Sequence, residues 1–202
     1  MRSAGRREFV SGPAGKIECA VDLPTGEPRG VALVAHPHPL FGGTLDNKVV
    51  QTLARAFAEL GYAAWRPNFR GVGASEGTHD EGRGEVDDLA AVLAHARADR
   101  PVLAGFSFGA AVQTRLAQRM AMEGKPLSRM VLVGLAVRHL EAVPVPAGTI
   151  LIHGEEDTTV PLADVLAWAR PQDLPVVVVP GADHFFHRRL AILRSIVQAN
   201  WQ

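Results

Sequence analysis

The sequence predicts an α/β fold in which a mostly parallel sheet is covered by helices on both faces, with an antiparallel edge at the N-terminus. Three observations carry this expectation. Strand and helix signals alternate from about residue 30 to the end, which is how parallel strands joined by helical crossovers read. Several strand signals are unbroken apolar runs, as strands covered on both faces require. The segments between them carry apolar residues at helical spacing.

Taken in order, residues 8–23 hold two short alternating stretches around Gly12-Pro13-Ala14-Gly15, which reads as an edge hairpin. The strand candidates that follow are Val31–Ala35, Tyr62–Arg66, Val102–Phe106, Met130–Val133, Ile150–His153 and Val176–Val179. Val49, Val50, Leu53, Phe57 and Leu60 mark a first helix, which Gly61 stops. Val86, Leu89, Ala90 and Leu93 mark a second, and Phe108 to Glu123 a third, with Gly124 just past it. Pro161 to Arg170 and Arg188 to Ala199 complete the set.

At 202 residues the chain suffices for one domain, 1–202, with a two-sided core. Lys and Arg number 21, Asp and Glu 21, so there is no net charge to draw the protein to nucleic acid or an anionic membrane. Arg2, Arg6 and Arg7 read as a solvated, frayed end. No apolar run reaches the roughly 18 residues of a membrane span, and no apolar segment follows the N-terminal charges as in a secretory signal. The lone Cys19 rules out an internal disulfide and reads as a buried strand residue. A cytoplasmic protein is expected.

In open parallel sheets reactive residues sit at the carboxyl ends of strands. There the strongest signal is Gly105-Phe106-Ser107-Phe108-Gly109, between an apolar strand and a helix. A Gly-x-Ser-x-Gly turn of this kind lifts a serine hydroxyl clear of the sheet and aims helix N-terminal N–H groups at charge developing beside it. Ser107 needs a base to take its proton. His184, in the loop after the last strand, is the choice over His187, which begins the closing helix. The acid belongs after the preceding strand, where Glu155-Glu156-Asp157 stand before Pro161. Asp157 is preferred, though spacing alone does not exclude either glutamate. Asp164 reads as solvated.

An oxyanion hole needs two N–H donors. Phe108, the residue after the nucleophile, offers one. The other is sought in His36-Pro37-His38-Pro39-Leu40-Phe41-Gly42-Gly43, where the prolines have no N–H and Leu40 or His38 must donate. His36 and His38 also look like metal ligands, but no third ligand at a recognisable spacing accompanies them. No metal and no cofactor are expected.

These residues resemble the α/β-hydrolase superfamily from about residue 30 onward. The pieces that carry the likeness are Gly105-Phe106-Ser107-Phe108-Gly109, His153-Gly154-Glu155-Glu156-Asp157 with Val160-Pro161, and Gly181-Ala182-Asp183-His184-Phe185-Phe186. Asn68-Phe69-Arg70-Gly71-Val72-Gly73-Ala74-Ser75 looks like the family's Asp-x-Arg-Gly-x-Gly-x-Ser loop with Asn for Asp, and implies a structural role. The His-Pro-His-Pro loop is similar to that of a small, lidless bacterial subgroup near the dienelactone hydrolases, and makes Leu40 the preferred second donor. Those enzymes use a cysteine where this chain has Ser107, so their substrate is not carried over. The stretch between Val133 and Ile150 is too short for a helical lid. The resemblance therefore implies an open cleft rimmed by Leu40, Phe41, Phe106, Phe108, Phe185 and Phe186, with Phe41, Phe106 and Phe185 against substrate. It also implies hydrolysis of a small-molecule ester through an acyl-Ser107 intermediate, with thioester, peptide or acyl-transfer chemistry as the alternatives at the same site and a non-catalytic binding protein as the last.

Overall fold

A computed structural model describes residues 5–138 and 141–201. Its strands form one eight-stranded sheet in the order β1-β2-β4-β3-β5-β6-β7-β8. Strands β1 (Arg6–Gly12) and β2 (Gly15–Asp22) are the expected antiparallel hairpin, closed by the Gly12–Gly15 pair with Pro13 and Ala14 at the tip. The hairpin joins the sheet antiparallel to β4 (Ala63–Pro67), with Cys19 opposite Pro67. Every other pairing is parallel, through β3 (Val31–Ala35), β5 (Val102–Phe106), β6 (Arg129–Val133), β7 (Ile150–Gly154) and β8 (Val176–Val179).

Two cores follow from the alternation of side chains along these strands. Leu33, Leu103, Leu132 and Leu151 face α2 (Arg83–His95), α3 (Phe108–Met122) and α4 (Leu162–Ala169). Val34, Ala104, Val133 and Ile152 face α1 (Lys48–Glu59) and α5 (Leu190–Ala199). The central strands have no solvent face, which is why they read as unbroken apolar runs.

Several element boundaries shift by a residue or two from the sequence expectation, and two of the shifts have clear local reasons. Strand β4 begins at Ala63, because the Tyr62 N–H turns back to the Phe57 carbonyl at 2.9 Å and closes α1, with Gly61 left-handed at φ 92°. Helix α5 begins at Leu190 rather than Arg188, because Phe186 and Arg188 are left-handed at φ 55° and 59°.

The basic N-terminus is not simply frayed. Arg2 lies outside the described residues, but Arg6 and Arg7 are in β1, and Arg7 pairs with Asp46 at 2.9 Å and Glu18 at 3.3 Å. Cys19 is buried, and burial pushes its thiol up to about 12. No helix among the described residues is long and apolar enough to cross a membrane. The described part of the β6–β7 connection carries no helical lid; His139 and Leu140 lie outside the described residues.

The chain runs from β3 to β4 on one side, then crosses to β5 on the other side of β3. Where strand order reverses in this way, the connections leave the strand ends in opposite directions and a crevice opens between them. The loop after β3 and the turn after β5 meet there.

Candidate active site

Ser107 stands on the turn between β5 and α3, at φ 55° and ψ −118°, a conformation that costs a non-glycine residue. Three contacts hold it. The Ser107 N–H donates to the Val133 carbonyl at 2.9 Å, and a Cβ at Gly105 would lie 2.6 Å from the Ala110 nitrogen. A Cβ at Gly109 would strike the carbonyl oxygens of Ala35 and His36. The two glycines of the motif are therefore required by backbone packing, and the strain is maintained by the sheet around it.

The Ser107 hydroxyl lies 3.0 Å from His184 Nε2. His184 Nδ1 lies 2.6 Å from Asp157 Oδ2. Asp157 can only accept, so Nδ1 carries the hydrogen and Nε2 is left to accept from Ser107. The other Asp157 oxygen accepts the N–H groups of Thr159 (2.9 Å) and Val160 (2.8 Å), which fixes the carboxylate in its turn. All three side chains are buried or nearly so. The arrangement can take a proton from the hydroxyl and balance the resulting imidazolium.

Asp157 and its two neighbouring glutamates differ in where their side chains lie. Glu155 is exposed and accepts the Gly181 N–H at 2.9 Å, and Glu156 is exposed. Asp164, expected to be solvated, pairs with Arg138. His187 does not begin α5. It lies in the turn before the helix and bonds Asp183 at 2.6 Å.

The Phe108 N–H, at the first position of α3, has no acceptor among the described residues. The second expected donor, Leu40, is engaged within its own loop. The Leu40 N–H turns back to His38 Nδ1 at 3.2 Å, capping the single 3-10 turn Pro39–Phe41. Phe41, Gly42 and Gly43 also spend their N–H groups inside this loop. His36 Nδ1 donates to the Pro37 carbonyl at 2.7 Å, and its Nε2 accepts the Phe69 N–H at 2.9 Å. Both ring nitrogens being used, His36 has no lone pair for a metal. Burial pushes its pKa down to about 4, so it is neutral. Its role is to fasten the loop after β3 to the loop after β4. Among the described residues no group of three His, Cys, Asp or Glu side chains is placed to hold a metal.

The phenylalanines divide. Leu40 and Phe41 are 70% and 85% exposed, and Phe185 is 44% exposed. Phe106, expected against substrate, has no exposed surface. It packs at 4.8 Å beneath the His184 ring and supports the imidazole. Phe108 and Phe186 are also buried. The Asn68–Ser75 loop is structural: Asn68 donates to Glu18 at 2.7 Å and accepts the Leu45 N–H at 2.8 Å, while Arg70 grips Asp88 with two bonds.

Sequence reasoning missed His153. It is fully buried on β7, donates to the Val160 carbonyl at 2.8 Å, and lies 3.4 Å from Asp157 Oδ2. The signal available was a polar residue ending an otherwise apolar strand run.

The sequence model of the family described as serine aminopeptidase, S33, matches residues 26–165. The chain belongs to this family, within the α/β-hydrolase superfamily. It is 36% identical to an α/β serine hydrolase homologue from Coxiella burnetii, with each chain covered in full and a TM-score of 0.88. It is also 36% identical to an α/β serine hydrolase without a lid from Xanthomonas campestris, covering 99% of this chain and 94% of that one, at a TM-score of 0.87. An uncharacterised protein of Rickettsia prowazekii is 31% identical over 88% of this chain and 81% of its own length. Like the lidless Xanthomonas campestris relative, the hydrolase carries no helical lid among its described residues, and its Leu40, Phe41 and Phe185 are open to solvent.

Proposed function

We propose that this hydrolase cleaves small carboxylic esters through an acyl-Ser107 intermediate. The observation that carries the reading is the unbroken series of contacts from the strained Ser107 hydroxyl through His184 to Asp157, at 3.0 and 2.6 Å. In the first half-reaction Ser107 Oγ attacks the acyl carbon while its proton passes to His184 Nε2. The carbonyl π electrons move to the oxygen, which the Phe108 N–H receives. When that oxyanion collapses, the bond to the leaving oxygen breaks and His184 returns the proton to it. Water then repeats the sequence against the acyl-serine, releasing acid and restoring Ser107.

The N–H groups of Leu40, Phe41, Gly42 and Gly43 are spent within the loop after β3, so in this reading the Phe108 N–H carries the developing charge. The same steps would serve a thioester or a peptide. Esters are favoured over peptides because an alcohol leaves more readily than an amine, and an open cleft offers little remote binding energy to assist a poor leaving group.

The test is labelling with a fluorophosphonate probe and mapping of the modified residue, alongside ester, thioester and peptide panels. Ser107 should be the labelled residue, esters should turn over fastest, and EDTA should leave the rate unchanged. Near-wild-type ester turnover by Ser107→Ala would sink the mechanism.

A further inference from the structure

A groove of about 580 Å³ opens beside Phe108. His38 and Leu40 wall it on the side of the loop after β3, and His79 on the side of the loop before α2. His38 packs 4.8 Å from the Phe108 ring and 5.0 Å from that of His79, so this end is a wall of aromatic faces. The other end is cationic. Arg115 lies seven residues beyond Phe108 on α3, so two helical turns return it to the same face about 10 Å further along the axis.

Arg115 is partly buried, and no carboxylate among the described residues lies within ion-pair reach of it. The other two guanidiniums on the groove are matched, Arg83 by Asp80 and Glu81, and Arg138 by Asp164. Glu141 is exposed, where water screens it. A partly desolvated guanidinium without a partner is a poor feature for stability and a good one for binding, since its fork of donors fits a carboxylate with two parallel bonds.

The position of His184 decides which half of an ester enters this groove. The leaving oxygen has to lie against His184, which returns a proton to it. His184 is surrounded by Asp157, Phe106 and Phe185, and none of these lines the groove. The acyl half therefore runs past Phe108 towards Arg115. We infer that Arg115 is a specificity residue that receives a carboxylate at the far end of the acyl chain, so that the preferred substrates are half-esters of aliphatic dicarboxylic acids. This rests on the ester-hydrolase reading of Ser107.

The test compares kcat/KM for the mono-p-nitrophenyl esters of succinate, glutarate and adipate with those of uncharged p-nitrophenyl acyl esters of equal length. Wild type, Arg115→Met and Arg115→Lys are measured. The best anionic ester should exceed its neutral counterpart by about 10- to 100-fold in wild type, the worth of a hydrogen-bonded charge pair. That ratio should fall close to one in Arg115→Met, recover in part in Arg115→Lys, and shrink with added salt. A wild-type ratio near one, with neutral esters still cleaved, overturns the role of Arg115 and leaves the esterase reading standing. An Arg115→Met loss equal on both series also overturns it. If no ester is cleaved and the fluorophosphonate does not label Ser107, the esterase reading fails. Calorimetric binding of monomethyl adipate then decides the site: binding lost in Arg115→Met supports it, and equal or absent binding overturns it.

Discussion

His153 reaches Asp157 through Val160: its Nε2 donates to the Val160 carbonyl at 2.8 Å, and the Val160 N–H donates to Asp157 Oδ1 at 2.8 Å. One buried imidazole thus holds in place the residue that orients the carboxylate. Its direct distance to Asp157 Oδ2, 3.4 Å, is too long for a strong bond, so the path through the backbone dominates.

His153→Phe should therefore act on position rather than on proton transfer. It leaves the Val160 carbonyl without its donor, which costs about 1–3 kcal/mol of stability. In the folded variant kcat should drop about tenfold while KM stays near its wild-type value. A thermal melt and steady-state kinetics read both effects. A folded variant with wild-type kcat would show that the Asp157 turn keeps its shape unaided.

Asp157→Asn preserves shape and removes the charge that His184 faces. The imidazole can then take the wrong tautomer, at a cost of about four orders of magnitude in kcat. Glu155→Gln and Glu156→Gln should each change kcat by less than about threefold, because both side chains face solvent and an exposed carboxylate's field is weakened by water and salt. A crippled glutamate variant beside an active Asp157→Asn would move the acid's role to that glutamate.

His36 makes stability fall in acid. Its folded pKa, about 4, lies below the ordinary histidine value, so between the two only the unfolded chain takes up this proton. Its contribution is present in full above about pH 6.5 and is lost as pH falls towards 4, at most about 3 kcal/mol. His153 is lowered by burial too and acts with the same sign. Denaturant midpoints from pH 7 to 4 should show this decline, and His36→Gln should flatten it relative to wild type. An equally steep decline in His36→Gln would assign the acid sensitivity to other groups.

Much of the fold was legible because its signals are local. The runs Val31–Ala35 and Val102–Phe106 are strands with those very bounds, since a strand covered on both faces has no polar position to blur its ends, and the partly exposed edge strand Val176–Val179 keeps its bounds as an unbroken run of valines. The turn bearing Ser107 was legible for a similar reason, as its two glycines answer a close backbone approach within a few residues. The carboxylate that meets His184 was legible only to within a tripeptide. Glu155, Glu156 and Asp157 share one turn and one charge, and their difference is the direction in which each side chain leaves the backbone.

The sequence by itself determined the order of strands and helices, the edge hairpin, and the strand ends on which Ser107 and His184 stand. Periodicity and turn chemistry act between neighbours along the chain, so they can be read there. Only the tertiary structure decided which phenylalanines are buried, where the Leu40 N–H points, and that His36 and His153 brace loops on either side of the crevice. Those outcomes depend on what packs against each group from distant parts of the chain. Phe106 lies under His184, which is 78 residues away, and His36 accepts from Phe69, 33 residues away. Burial and hydrogen-bond partnership at such separations exist only once the sheet has set its strand order.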